Sequence, residues 1–126
     1  MKGLVHFHRI PIYDVWIKIC FDKQTFEKYV TEGDVGDCGG YAYWNQDTDV
    51  LGLYVEMRDG FVNMPHVAHE AFHLTDYICE RQGIEHTFGT GNEAWAYLLG
   101  YIVDQVLYYA SIDTQCSERY LVNNKR

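Results

Sequence analysis

Residues 63–83 read NMPHVAHEAFHLTDYICERQG. Their pattern decides the fold. Asn63 followed by Pro65 predicts a helix start, because proline is tolerated in a first turn, where its missing N–H has no partner to lose. Gly83 predicts the stop, so the helix is expected to run to about Arg81. Val67, Ala71, Leu74 and Ile78 recur at helical spacing and form one apolar stripe. Ala68, Phe72 and Cys79 are expected to widen it.

Inside this helix stands His69-Glu70-Ala71-Phe72-His73, the pattern H-E-x-x-H. Residues i and i+4 share a helix face about one turn apart. Two imidazoles at that spacing can bind one zinc ion, and the glutamate beside the first then lies against the attacking water. On an apolar helix, such a polar set is costly to bury without a partner, and metal is a natural one. The bland alternative is a polar helix face with a scattered histidine pair.

Catalytic zinc takes three protein ligands and keeps one position open. Glu93 opens the next predicted helix, twenty residues after His73, with Asn92 as its cap. Glu93, Ala96 and Gly100 fall on one face, so the small residues are expected to let this helix press against the first. The alternative for Glu93 is an acid favoured by the helix dipole.

Outward from these helices the chain alternates strand and turn signals. Leu4–Ile10 and Ile12–Cys20 read as strands. Asp22 is expected to cap a short helix over residues 23–30. Residues 33–40 form a loop. Tyr41–Asn45 and Val50–Met57 are expected to pair as a hairpin across residues 46–49, and residues 58–63 to turn. The second long helix is expected to run from Asn92 to about Ser111, with a frayed tail beyond. This order predicts a single α+β domain spanning residues 1–126. A small, mainly antiparallel, twisted sheet would pack on two long helices carrying the metal site.

Composition narrows the function. The formal net charge is −8, and no basic run precedes Lys125 and Arg126. Such a chain repels phosphate backbones, so nucleic acid is not an expected partner. No window approaches the roughly 18 apolar residues of a membrane helix, and residues 1–9 do not read as a secretory signal. Cys20, Cys38, Cys79 and Cys116 lie far apart. They are expected to be free thiols in a reducing cytoplasm, the alternative being an extracellular disulfide pair.

From Tyr41 to Tyr101 the chain resembles the gluzincins, the thermolysin-like clan of zinc metallopeptidases. The H-E-x-x-H helix, the spacing to Asn92-Glu93, the small residue Ala96 and the strand Ala42-Tyr43-Trp44-Asn45 carry the resemblance. It implies a zincin-like fold and a peptide or protein substrate. It also implies zinc ligands His69, His73 and Glu93, with Glu70 as catalytic base and Asn92 orienting His73. Where the family often has an acid that orients the first histidine, this chain has Tyr97, whose hydroxyl is expected to serve. The family's transition-state donor comes from a large C-terminal domain. Here it is expected from His86, Tyr97, another tyrosine or a partner subunit. The rival reading is a non-catalytic zinc-binding, zincin-like interaction module.

Other residues keep two readings each. His66 is either a replacement ligand or a solvent or supporting histidine near the helix start. Asp76 either orients a ligand or pairs with a cation. His6 and His8 are either a second metal site or packed side chains. Asp47 and Asp49 are either calcium ligands or parts of a polar turn.

Overall fold

A computed structural model of the chain describes residues 3–85 and 89–124, with side chains placed through Asp113 apart from Thr90. Strands β1 (Val5–Ile10) and β2 (Val15–Cys20) form one antiparallel hairpin, and β3 (Gly40–Asn45) and β4 (Val50–Val55) form another. The sheet order is β1-β2-β4-β3. Two of its three pairings are antiparallel, as expected, but the central β2–β4 pairing is parallel, through Lys18↔Gly52, Ile19↔Leu53 and Cys20↔Tyr54. The sheet is therefore mixed, within an α+β fold.

Between the hairpins, Asp22 caps α1 (Lys23–Phe26) by accepting from Thr25 N at 3.0 Å. The helix expected through residue 30 instead widens into a π-turn over Glu27–Thr31. Phe26 and Val30 of this segment cover one face of the sheet over Gly52. A methyl group at Gly52 would meet Val30 Cγ1 at 2.5 Å and Phe26 Cε1 at 3.3 Å, so only glycine lets the segment sit this close. The expected turn at residues 58–63 contains a short ribbon, β5 (Met57–Arg58) with β6 (Phe61–Val62). Its corner residues Asp59 and Gly60 both have positive φ, a conformation that suits glycine and short polar residues.

The opposite sheet face carries the main core. Ile17, Ile19, Leu51, Leu53 and Val55 meet α2 (Met64–Gln82) and α3 (Glu93–Asn124) there. The bounds of α2 follow local chemistry. Asn63 accepts from His66 N at 3.1 Å, and Gly83 leaves the helix at φ 73°, its N–H reaching back to the last turn. Val67, Ala71, Leu74 and Ile78 are fully buried as one stripe, with Cys79 beside them. Phe72 and Ala68 do not widen that stripe; both are exposed. Backbone helix in α3 continues to Asn124, past the end expected near Ser111, where the sequence suggests fraying.

Polar side chains tie α3 to β1. His6 Nε2 lies 2.9 Å from Asp113 Oδ1, while His8 is held between the hydroxyls of Tyr109 (2.9 Å) and Tyr101 (2.7 Å). These are packed histidines. Burial lowers the His8 pKa below the usual histidine range. The unfolded chain therefore binds the proton more readily, at about pH 6.5. The contribution of His8 to stability is whole above that pH, falls as pH drops through it, and is lost below the folded pKa. His8→Gln should flatten the pH dependence of urea unfolding between about pH 5 and 8. An unchanged slope would remove His8 as its source.

Asp49 accepts from Arg81 Nε at 2.8 Å and from Trp44 Nε1 at 3.2 Å, so it ties the β3–β4 turn to the end of α2. Cys20, Cys38 and Cys79 are free thiols; Cys116 lies outside the described side chains. Among the described residues no helix is long and apolar enough to cross a membrane.

Candidate metal centre

Beside the buried stripe of α2, His69 and His73 lie toward solvent while Glu70 lies against the start of the edge strand β3. His69 Nε2 and His73 Nε2 face each other at 3.2 Å, their rings 4.7 Å apart and nearly perpendicular. Two nitrogens held about 2.0–2.1 Å from one ion at a tetrahedral angle stand about 3.3 Å apart. The two rings are within hydrogen-bond reach of each other, and the same separation matches that of two ligands of one zinc ion. His69 is exposed and His73 half-buried, which leaves the point between them open to solvent.

Glu70 turns inward and is only 8% exposed. Burial pushes its carboxyl above the usual glutamate range, against the opposing pull of His69, His73 and His66. The space for this carboxylate comes from β3. A methyl group on Gly40 would stand 2.9 Å from both Glu70 Cγ and Glu70 Oε2. A methyl group on Gly39 would stand 2.4 Å from His66 Cε1. The Gly39-Gly40 backbone thus forms a cradle over the base and over His66, whose Nδ1 is buried without a hydrogen-bond partner. Motif reading passes over these glycines; their signal is a Gly-Gly pair at the entry of a strand rich in aromatics.

The residues expected around this core are placed unevenly. Glu93 is the first residue of α3 and is exposed. Among the described residues no group of three His, Cys, Asp or Glu side chains is arranged to hold a metal ion, so Glu93 is not gathered with the histidine pair. Asn92 is half-buried at the end of a 3-10 turn, Gly89–Asn92. Tyr97 is 75% exposed and lines a groove of about 730 Å³ against Ile12 and Tyr13. His86 lies outside the described residues.

The phase of α3 explains this placement. Trp95, Leu98, Ile102 and Val106 are buried, and their bulk decides which face turns inward. Ala96 and Gly100, expected to press against α2, instead line the groove beside Ile12, and a methyl group on Gly100 would touch nothing within 4 Å. In the first turn of α3, Trp95 reaches α2 and donates from Nε1 to Asp76 Oδ1 at 3.0 Å. Asp76 therefore pairs with an indole, a partner that neither sequence reading offers.

The arrangement can bind a cation through two imidazoles and hold a proton acceptor beside it. Compared with family models, with curated proteins and with solved structures, the chain has no match.

Proposed function

We propose that the protein is a zinc-dependent metallopeptidase with a zincin-like fold, in which His69 and His73 hold zinc, Glu93 completes the ligand set and Glu70 is the general base. The observation that carries the reading is the 3.2 Å separation of the two Nε2 atoms, with the Glu70 carboxylate buried beside them. The histidine pair fits zinc in donor type and spacing. Glu93 enters by its sequence spacing from His73 and its place at the free end of α3. A zinc ion held by these residues would supply Lewis acidity to a scissile carbonyl and to a water. Glu70, buried beside the histidine pair, would accept the proton of the attacking water and return it to the leaving amine. Asn92 remains a proposed support for the ligands, and a tyrosine or His86 the proposed oxyanion donor.

An extended peptide suits this site because β3 is an edge strand, whose free backbone groups can pair with a substrate strand. The free thiols suit a reducing cytoplasm, where we place the enzyme.

Purified protein should carry about one zinc per chain by elemental analysis. His69→Ala and His73→Ala should each abolish uptake. Glu93→Ala should weaken it. Full zinc retention in both histidine variants would sink the site, and wild-type affinity in Glu93→Ala would remove Glu93 from it.

The described residues do not gather three ligands, which weighs against a preassembled zinc site of either kind, catalytic or structural. A non-catalytic, zinc-binding interaction module would need no base at Glu70, and the Glu70 experiment separates the two.

A further inference from the structure

The first turn of α3 meets the histidine helix through one aromatic side chain. Trp95 is 7% exposed and donates its indole N–H to Asp76 Oδ1 at 3.0 Å. Its ring packs edge-to-face on Phe72, with centroids 5.0 Å apart at 72°. Phe72 packs on His73 at 5.9 Å and 89°, and His73 on His69 at 4.7 Å and 75°. Four rings therefore run in contact from the start of α3 to the histidine pair. Trp95 lies two residues after Glu93, and Asp76 lies one turn after His73. The same contact thus fixes the turn that carries Glu93 and the turn that carries His73.

We propose that Trp95 is a positioning residue for the metal centre. Through Asp76 it sets where the first turn of α3 stands, and through Phe72 it holds the His73 ring facing His69. This rests on the zinc reading above and adds a contact from α3 that supports the turn carrying His73. A bare core anchor would need only the indole's bulk. The hydrogen bond to a carboxylate on the histidine helix gives Trp95 a fixed orientation as well.

The test uses the full chain with Trp95→Phe, Asp76→Ala and Asp76→Asn. Zinc dissociation constants are read by chelator competition, and visible spectra are taken of the cobalt-substituted proteins. Thermal unfolding of each metal-free protein is measured alongside. Trp95→Phe keeps an aromatic ring and loses the donor; Asp76→Ala loses the acceptor. Both should weaken zinc binding by about 10–100-fold, the usual effect of losing a support behind a ligand, and should alter the cobalt spectrum. Asp76→Asn keeps an oxygen that accepts the indole proton and should restore near-wild-type affinity and spectrum. Wild-type zinc affinity in Trp95→Phe would overturn the inference. So would losses in all three variants that only follow their losses in melting temperature. A wild type that takes up no zinc would overturn the zinc reading and this inference together. A zinc-binding wild type with an indifferent Trp95→Phe overturns the inference alone.

Discussion

Glu70→Gln is expected to fold, to take up zinc as the wild type does, and to lose peptidase activity by about 10²–10⁴-fold or more, the usual worth of a general base. The argument is steric as well as chemical. The carboxylate lies under Gly40, with no room there for even a methyl group on the strand. Glutamine has the size of glutamate and fits the same cradle. It keeps the hydrogen-bonding shape but cannot take a proton from water and deliver it to an amine. In an interaction module, glutamine would serve equally well, and partner binding would survive. A mixed peptide library read by mass spectrometry supplies substrates whatever the cleavage specificity. Equal cutting by the variant, or no cutting by zinc-loaded wild type, would refute the enzymatic reading.

Leu74→Ala should be the most damaging truncation of α2. Leu74 is fully buried with Val67, Ala71 and Ile78 in the core that also holds Ile17, Ile19, Leu51 and Leu53 of the sheet. Replacing a buried leucine with alanine removes transfer free energy and leaves a cavity, at a cost of about 2–5 kcal/mol. Against a typical total of about 5–15 kcal/mol, that is a large share. His69→Ala, at an exposed position one turn earlier, should stay within about 0.5 kcal/mol in the metal-free protein. Urea unfolding of the two metal-free variants reads the difference directly. The zinc effects should be reversed: lost in His69→Ala, kept by the folded fraction of Leu74→Ala. Similar stabilities for the two variants would mean that the stripe and the histidine face are misassigned.

What is legible in the sequence is local. Asn63 and Gly83 mark the ends of α2 because a capping side chain and a left-handed glycine act within a few residues. The alternating four- and three-residue spacing picks out its buried stripe. The parallel join of β2 to β4 is not legible, because it pairs strands distant in sequence and no turn residue announces it. The face of α3 misleads for a related reason. Small residues at 96 and 100 suggest close approach, yet helix phase follows the large residues, and Trp95, Leu98 and Ile102 turn the small ones outward. At the candidate site, the H-E-x-x-H spacing announces the histidine pair. The glycine cradle and the Trp95–Asp76 bond depend on how separate elements cross, and so emerge only in three dimensions.

The parallel join of the two hairpins also bears on how the chain acquires its shape. Each hairpin closes over a few residues, so each can form as an independent local unit at small entropic cost. Joining them requires residues 18–20 to find 52–54 across the whole intervening segment, including α1. Non-local pairings of this kind slow folding, because the search is completed before its contacts reward it. The core draws Ile17 and Ile19 from one hairpin and Leu51 and Leu53 from the other, but α2 itself lies against β3 and β4, the two strands of the second hairpin. The histidine helix, its cradle at Gly39-Gly40 and the hairpin beneath it are therefore neighbours in sequence, able to come together before the slow join adds β1 and β2.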